Sequence, residues 1–379
     1  VVMTVCSAFL ALFWGLMNHG YGKATRKRKA REQERQYREY LDGIEKELLM
    51  WEKDNREMLE KKYPPLAQVW GGGDGRAAVL WNRYYRQSDF LFLRIGTGQM
   101  PFQVKVKLSG PNKRIVQEKL VKKAQELAER FAVLKHAPAV IDLYENRQIA
   151  IMGNLYSEEV RTVLLQLLIQ IAACHCYTEV KIVCFYHKER IVDQETAACI
   201  KWMSHSWSAD KKVRFLAGDD KEASRILPVL TKELAKGRQD REKGVQIPWY
   251  IVAVLNNDLI QGEILYQYLM DPLEGCPVST IFAGMEAEEL PKSCRYFISP
   301  KGDEGEILNL GKDQISRQKI NLEGCSSVKA QAYVRRTAGF RVREDAVCTQ
   351  LPEQVGFLQL YGCTRVEGLE SGRRWSLSR

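Results

Sequence analysis

A strand–turn–helix–strand pattern over residues 149–185 has the layout in which proteins normally build a phosphate-binding site. Gly153 and Asn154 open the turn, and Ser157 is placed to begin the following helix as its N-cap. A working P-loop needs several glycines to bend backbone amides around phosphate, a lysine for the outer phosphates and a Ser or Thr for Mg²⁺. Here no lysine follows the turn, and Glu158 and Glu159 would repel phosphate. The residues predict the shape of a nucleotide site at Gly153, Asn154 and Ser157, but not its chemistry.

The acid that P-loop enzymes use to hold Mg²⁺ and orient the attacking water is also missing. An apolar strand over 251–255 occupies the place where that acid should follow, but it ends at Asn256 and Asn257. Asp258 comes next and is predicted to cap a helix over 258–270. The stretch is therefore expected to be non-catalytic and to carry no cofactor of its own. A non-standard ATPase site stays open as an alternative, with Arg161, Lys188, Arg190 and Asp258 as its candidate residues.

The chain contains ten cysteines, and two of them flank a histidine in Cys174-His175-Cys176, which are residue types that can bind a metal ion. A zinc site needs a second pair of ligands at a suitable spacing, and the sequence offers none. We therefore predict no metal, and reduced thiols at the end of a helix.

Two smaller signals involve histidines next to aromatic or basic residues. Trp202 and Trp207 flank His205, which could form a pocket but is better explained by a loop packed on the sheet. His187 and Lys188 follow a strand end, where α/β proteins place ligands, but no other convergent group accompanies them.

The first residues are almost uniformly apolar and predict the C-terminal part of a transmembrane helix over 1–20, with Trp14 at the interface. The basic run that follows would contact anionic lipid and place the chain from about residue 20 onward in the cytoplasm, by the positive-inside rule. A buried core helix is the alternative. The net charge of the chain is +10, and this run carries six positive charges: Lys23, Arg26, Lys27, Arg28, Lys29 and Arg31.

Residues 21–63 are expected to form this basic juxtamembrane segment and a long helical stalk. Apolar residues recur at alternating spacings of four and three, with Asn55 in one slot, which is a heptad seam. The stalk could pair with another subunit or pack on its own cytoplasmic domain, and Pro64 and Pro65 end it. The seam residues are Tyr37, Leu41, Ile44, Leu48, Trp51 and Met58.

Beyond the stalk, apolar strands alternate with amphipathic helices, which predicts an α/β fold with a mainly parallel sheet covered by helices on both faces. We divide the chain into an α/β segment at 64–145, a P-loop-NTPase-like domain at 146–315 and a linker at 316–379. In the first segment, a strand is expected to end at a Gly-x-Gly turn over 96–98, and 102–108 alternates like a half-exposed strand.

Four groups of short motifs follow one another along the chain. They are Leu80-Trp81-Asn82-Arg83 with Asp89-Phe90-Leu91 and Arg94-Ile95-Gly96-Thr97-Gly98, then Gln166 with Cys174-His175, then Lys201-Trp202-Met203-Ser204-His205, and last Leu360-Tyr361-Gly362, Val366-Glu367 and Arg374-Trp375. In this order they resemble the EssC/EccC branch of the FtsK/SpoIIIE ATPases, the motors of type VII (ESX/ESS) secretion. One element departs from the family pattern, since Met203-Ser204 stands where Leu-Pro is expected. The resemblance covers nearly the whole chain.

This resemblance implies a membrane-anchored coupling module next to ATPase domains that would follow residue 379 and use ATP and Mg²⁺. It implies a hexamer in the cell membrane, contacts with other membrane subunits of the secretion complex, and export of small helical WXG-type substrates. The domain at 146–315 would be the degenerate, membrane-proximal ATPase. A DNA translocase of the same superfamily is the further alternative, although the basic residues cluster beside the membrane and no basic–aromatic platform for nucleic acid is evident.

Overall fold

The computed structural model describes residues 2–69, 80–102, 104, 118–242, 247–272, 275–311 and 315–342. Residues 1–336 form one compact unit, and a second unit begins at Thr337. The helices are α1 (Val2–Lys62), α2 (Leu66–Val69), α3 (Glu118–Arg130), α4 (Glu158–Cys174), α5 (Ile191–Ile200), α6 (Asp220–Glu242), α7 (Ile264–Met270) and α8 (Ser327–Thr337). The strands are β1 (Phe92–Pro101), β2 (Val133–Asp142), β3 (Gln148–Met152), β4 (Val180–Phe185), β5 (Leu216–Ala217), β6 (Trp249–Val254), β7 (Val278–Gly284), β8 (Tyr296–Lys301), β9 (Glu304–Leu310) and β10 (Ile315–Leu322).

Within the described residues, ten strands form one sheet in the order β2-β1-β10-β9-β8-β3-β7-β6-β4-β5. The half from β8 to β5 is parallel, and the half from β2 to β8 is paired antiparallel. The prediction of an α/β fold with a mostly parallel sheet is confirmed. In the antiparallel half, β1 and β2 precede the parallel strands in sequence, whereas β9 and β10 follow them. The strand β10 and the helix α8 lie at the start of the stretch predicted to be a linker.

Helices cover both faces of the sheet, and each face has its own hydrophobic core. One core joins α4, α5 and α8 to the sheet, and the other joins α6 and α7 to the opposite face. The helix α4 is buried almost all round, since the sheet strands β1, β3 and β8 and the helices α2 and α5 pack against it. Its apolar residues, at nearly every position from Val163 to Ile171, are what such burial requires.

The helix α1 packs on α3 and β2, and its contact face departs from the predicted heptad seam in the second half. Leu41 and Leu48 are buried there, but Trp51 and Met58 are 41% and 50% exposed, and Leu59 is buried instead. A straight helix drifts by about 20° per heptad from a perfect 3.5-residue repeat, so its inward face moves to neighbouring positions. The seam prediction therefore needs correction at Trp51 and Met58 for packing within the chain.

The first turns of α1 carry the predicted membrane segment. Trp14 is 72% exposed, and the described basic side chains at Lys23 and at 26–29 are exposed as well. Among the described residues, none of the helices combines the length and apolar character needed to cross a bilayer. Most side chains of residues 1–20 lie outside the described ones, and the transmembrane helix stays a prediction.

Two local expectations are wrong. The Gly-x-Gly pair at 96–98 lies inside β1 and makes no turn, because β1 continues to Pro101. Asp258 caps no helix, since α7 begins only at Ile264 with Glu263 in the N-cap position. The intervening residues form turns, and Gly262 adopts a φ of +84°, which interrupts a helix. The strand predicted over 102–108 lies mostly outside the described residues.

The parallel half of the sheet buries one lysine, Lys181 of β4, beside Tyr250 of β6 and 5.9 Å from the Tyr177 ring centroid. Burial lowers the pKa of Lys181 to about 8, and Glu233 opposes that shift only in part. Between that pKa and the ordinary value of 10.5 the unfolded chain binds more protons than the folded one, so the contribution of Lys181 to stability rises with pH through this window.

Replacing Lys181 by Met should therefore stabilise the protein by about 2 kcal/mol below pH 8, and the gain should vanish above pH 10.5. Urea unfolding of both proteins between about pH 7 and about pH 11 measures the difference in their unfolding free energies. This range spans the titration of Lys181 in the folded and unfolded states. Lys221→Met, at an exposed position of α6, is the matched control and should change little. A destabilised Lys181→Met protein, or a gain independent of pH, would contradict the assignment.

Candidate functional site

The turn between β3 and α4 is closed by its own hydrogen bonds. The Gly153 N–H donates to Gly284 O (3.1 Å) at the end of β7, and the Ser157 N–H donates to Asn154 O (3.0 Å). The Tyr156 N–H donates to Asn154 Oδ1 (3.0 Å). A P-loop instead leaves consecutive amides free to face phosphate. Three amides of this turn are thus unavailable to a phosphate group in the described conformation.

Gly153 and Ser157 are explained by packing. A Cβ at Gly153 would lie 2.9 Å from Val160 Cγ2, so the glycine allows α4 to approach the end of β3 closely. Ser157 occupies the predicted N-cap position, but its hydroxyl donates to Asn154 O (2.7 Å) and makes no capping bond to the helix. The turn is adapted to hold α4 tightly against the sheet.

Carboxylates surround the N-terminus of α4. Glu159 Oε1 accepts the Gly302 N–H from the β8–β9 hairpin (3.0 Å). Arg161 is buried and forms ion pairs with Glu158 (2.9 Å) and with Glu195. The positive end of the helix and the nearest cation are therefore already neutralised by protein carboxylates, which leaves little attraction for a polyphosphate.

The residues that end β6 serve local structure. Asn256 Oδ1 accepts the Asp258 N–H (3.2 Å), and Asn256 Nδ2 lies 3.3 Å from His187 Nδ1 at the end of β4. Asn257 O accepts two amides of the following turn, from Ile260 and Gln261. The sheet places β7 between β3 and β6, so the turn at Gly153 and the Asn256-Asn257 pair lie at the same sheet edge but follow different, non-adjacent strands.

The candidates for a non-standard site have partners of their own. Lys188 pairs with Asp219 (2.7 Å), which lies just before α6. Arg190 pairs with Asp193 (3.4 Å) and stacks over the Tyr156 ring (5.0 Å). Arg190 and Arg161 lie near the β3–α4 turn, and both are already paired with protein carboxylates.

The histidine of the Cys-His-Cys run is buried in the core. His175 Nε2 accepts the Leu91 N–H (3.1 Å), and Nδ1 faces Ile171 O (3.3 Å). Burial lowers the pKa of His175 to about 3 and that of His205 to about 4, so both rings are neutral at pH 7. His205 Nε2 in turn donates to His175 O (2.8 Å). Within the described ranges, no group of three or more His, Cys, Asp or Glu residues could hold a metal ion.

The two tryptophans that flank His205 do not enclose it. His205 is buried under the loop, in line with the expectation of packing. Trp207 lies under Arg214, with the guanidinium 4.3 Å from the ring centroid, and Trp202 is half-exposed beneath Arg335 (5.6 Å).

Sequence reasoning missed a junction where the end of α1 meets the sheet. The buried guanidinium of Arg94 donates to Tyr63 O (2.8 Å) and pairs with Glu323 (2.7 Å from Nε to Oε1). The buried Arg83 donates to Lys62 O (3.0 Å) and lies 3.5 Å from Asp89. Two arginines thus bind carbonyls at the C-terminus of a long helix, where cations are favoured.

The same junction is tied to α4 by side-chain amides. Gln170 Oε1 accepts the Arg94 N–H (2.9 Å), and Gln170 Nε2 donates to Arg94 O (2.6 Å). Gln166 Nε2 donates to Ile95 O (2.7 Å). The sequence signal for this junction is the set of stretches at 80–83, 89–98 and 166–175, which carry the family resemblance but do not by themselves predict contacts with one another.

No family model matches the chain. Curated relatives include the ESX secretion system protein YukB of Bacillus subtilis (strain 168), 24% identical over 387 residues, which cover 100% of this chain and 25% of that protein. The type VII secretion system protein EssC of Staphylococcus aureus (strain MSSA476) is 22% identical over 99% of this chain and 25% of its own length. The ESX secretion system protein EccC of Geobacillus thermodenitrificans is 24% identical over 93% of this chain and 24% of its own length. The chain spans about a quarter of the length of these relatives.

Two similar solved structures are EssC (ATPases 2 and 3) from Geobacillus thermodenitrificans and Thermomonospora curvata EccC (ATPases 2 and 3) in complex with a signal sequence peptide. The first is 14% identical with a TM-score of 0.42, over 68% of this chain and 50% of that one. The second is 12% identical with a TM-score of 0.45, over 69% of this chain and 50% of that one. Over nearly its whole length, the chain is a homologue of the type VII secretion proteins named YukB, EssC and EccC.

Proposed function

We propose that this chain is the membrane-anchored coupling and assembly module of a type VII protein secretion motor, and that its β3–α4 site does not hydrolyse nucleotide. The closed turn at 153–157 is the observation that carries the second part. Three of its amides are hydrogen-bonded within the protein, no lysine follows it, and carboxylates flank the helix that a phosphate would approach.

The coupling role is supported by the junction of α1 with the sheet. Arg83 binds the carbonyl of Lys62, the last residue of α1, and Arg94 binds the carbonyl of Tyr63, which follows it. Because Gln170 binds the backbone of Arg94, the end of α1 is connected to α4 by a short series of hydrogen bonds. A displacement of α1 would be transmitted to α4 and β3 through this series. Such a connection suits a module that links a membrane channel to moving ATPase domains.

The remaining features of the proposal rest on the sequence and the homology. The apolar residues at 1–20 would anchor the chain, with the basic run against the membrane surface, and α1 would set the spacing between subunits of a homo-oligomer, proposed to be a hexamer. Further ATPase domains of a longer protein would use ATP and Mg²⁺ and handle small helical WXG-type substrates. Other membrane subunits of the secretion complex are the proposed neighbours.

The purified 379-residue chain should show no hydrolysis above background and no heat of binding when titrated with ATP and Mg²⁺. Hydrolysis near 1 s⁻¹, roughly the low end of ordinary enzyme rates, would overturn the proposal. The same assay on Arg161→Gln and Asp258→Asn variants tests the non-standard ATPase site, because any genuine activity of that site should fall in at least one of them.

A further inference from the structure

An open cavity of about 400 Å³ lies between the end of α5, the edge strand β5 and the first turns of α6. Four basic side chains form its rim, and they come from three separate segments of the chain that the fold brings together. They are Lys201, Lys212, Arg214 and Arg225. Because β5 is the last strand of the sheet, this cavity opens at the side of the molecule, at the edge of the parallel half.

Three of these four basic side chains have no ion-pair partner in the part of the chain that the structure describes. Lys201, Arg214 and Arg225 form no ion pair with any other described residue, whereas Lys212 lies 3.8 Å from Asp210 in a pair that is mostly exposed. The Arg214 guanidinium is held over the Trp207 ring, and its Nε is buried without a hydrogen-bond partner in the described chain. An arginine fixed in this way can receive an oxyanion with little further loss of side-chain freedom.

Apart from Glu222, the residues that line the cavity between these cations are mainly apolar. Val213 and Leu216 are partly buried, Ile226 is buried, and the Tyr186 ring completes the surface. A small inorganic anion would leave this apolar surface in contact with water. A ligand that carries both carboxylates and apolar side chains would cover it and gain from its burial.

The start of α6 argues against a compact polyphosphate. Asp219 Oδ1 accepts the Glu222 N–H (2.8 Å), and Glu222 Oε2 accepts the Gly218 N–H (2.8 Å), so the amides and the positive end of this helix are already matched by two carboxylates. A compact polyanion at that end of the cavity would be repelled by the carboxylates of Asp219 and Glu222. Carboxylates spaced along an extended or helical peptide could contact the rim and avoid it.

We propose that this basic pocket, defined by the four rim residues, binds an acidic amphipathic segment of a partner protein. Its carboxylates would pair with the rim arginines and lysines, and its apolar side chains would lie on Leu216 and Tyr186. The positive charge of the pocket is complementary to the carboxylates of such a partner. The apolar surface between the cations sets the distance by which those carboxylates must be separated along the partner.

Fluorescence anisotropy of the 379-residue chain with a short labelled peptide of alternating Glu and Leu tests the proposal. The unmodified chain should bind this peptide, and a Gln/Leu peptide of the same length should bind at least about tenfold more weakly, because the pairing is ionic. Binding should weaken strongly with added salt. The double variant Lys201→Glu/Arg225→Glu should lose about tenfold or more in affinity.

The matched control is Lys292→Glu/Lys319→Glu, which makes the same change in net charge at exposed positions away from the pocket and should stay within about twofold of the unmodified chain. Equal losses in both double variants would overturn the proposal, as would equal binding of the Glu/Leu and Gln/Leu peptides. Displacement of the peptide by triphosphate or by a single-stranded oligonucleotide at matched charge would also overturn it, in favour of a phosphate ligand. The ATP assay is independent of every one of these outcomes.

Discussion

Replacing Gly96 by alanine is expected to destabilise the protein by about 3 kcal/mol, as overpacking of a well-ordered interior does. Gly96 pairs with Leu322 where β1 meets β10, and the two backbones approach closely there. An added Cβ would clash with the carbonyl oxygen of Asn321 and lie 2.9 Å from its carbonyl carbon. The obstacle is backbone, so no rotation of a side chain can relieve it, and the two strands would have to separate.

Urea unfolding measures this loss, and hydrogen exchange should show faster opening of β1 and β10 than of the parallel strands. Gly324→Ala is the matched control, because a Cβ at Gly324 meets nothing within 4 Å, and its effect should stay within about 0.5 kcal/mol. Similar losses from both substitutions would show that the crowding at Asn321 is not the cause.

The role of this glycine also shows what local pattern could not reveal. The Gly-x-Gly spacing at 96–98 predicts a turn, since glycine is frequent in turns. In the fold both residues lie within β1, and Gly98 is crowded by Gln318 and Ile320 of β10. Those neighbours are more than 200 residues away in sequence, and nothing around 96–98 indicates that a strand will cross there.

The parallel core was more predictable because its signals are local. The buried strands β3, β4, β6 and β7 are short apolar runs, and the β3–α4 unit is contiguous in the chain. The lack of a lysine after Gly153 could be read directly from the sequence. That the turn is also closed by Asn154 could not, because it depends on which atoms the Asn154 side chain meets once α4 is docked.

The antiparallel half and the basic pocket follow from long-range contacts. Glu323 becomes the partner of Arg94 only because β10 returns to β1. Likewise Lys201 and Arg225 are separated by a strand and a loop, and each looks like an ordinary solvated charge in the sequence. A +10 net charge gave no indication of where charge would concentrate outside the basic run at 23–31.

Replacing Arg94 by alanine should destabilise the protein at least as much as Gly96→Ala, but through the loss of buried polar partners and not through a steric clash. Arg94 is 5% exposed, and its loss would leave the buried part of Glu323 and the Tyr63 carbonyl without their partner. Breaking one side of a buried ion pair costs about 3 to 5 kcal/mol. Glu323 also accepts the Leu66 N–H (3.2 Å), so the connection between α1 and the sheet should loosen on both sides of Pro64.

The distinguishing measurement is hydrogen exchange at the end of α1, compared with exchange in α4. If the junction transmits movement, Arg94→Ala should speed exchange around Leu59 and Tyr63 well before global unfolding, and a double-mutant cycle with Glu323→Ala should show strong coupling between the two residues. Arg335→Ala, which removes an exposed arginine stacked on Trp202, should leave α1 unchanged. Unaltered exchange at the end of α1 in a destabilised Arg94→Ala protein would mean that α1 is held by its packing on α3 and β2 alone, and that the buried arginines stabilise the sheet without coupling it to the helix.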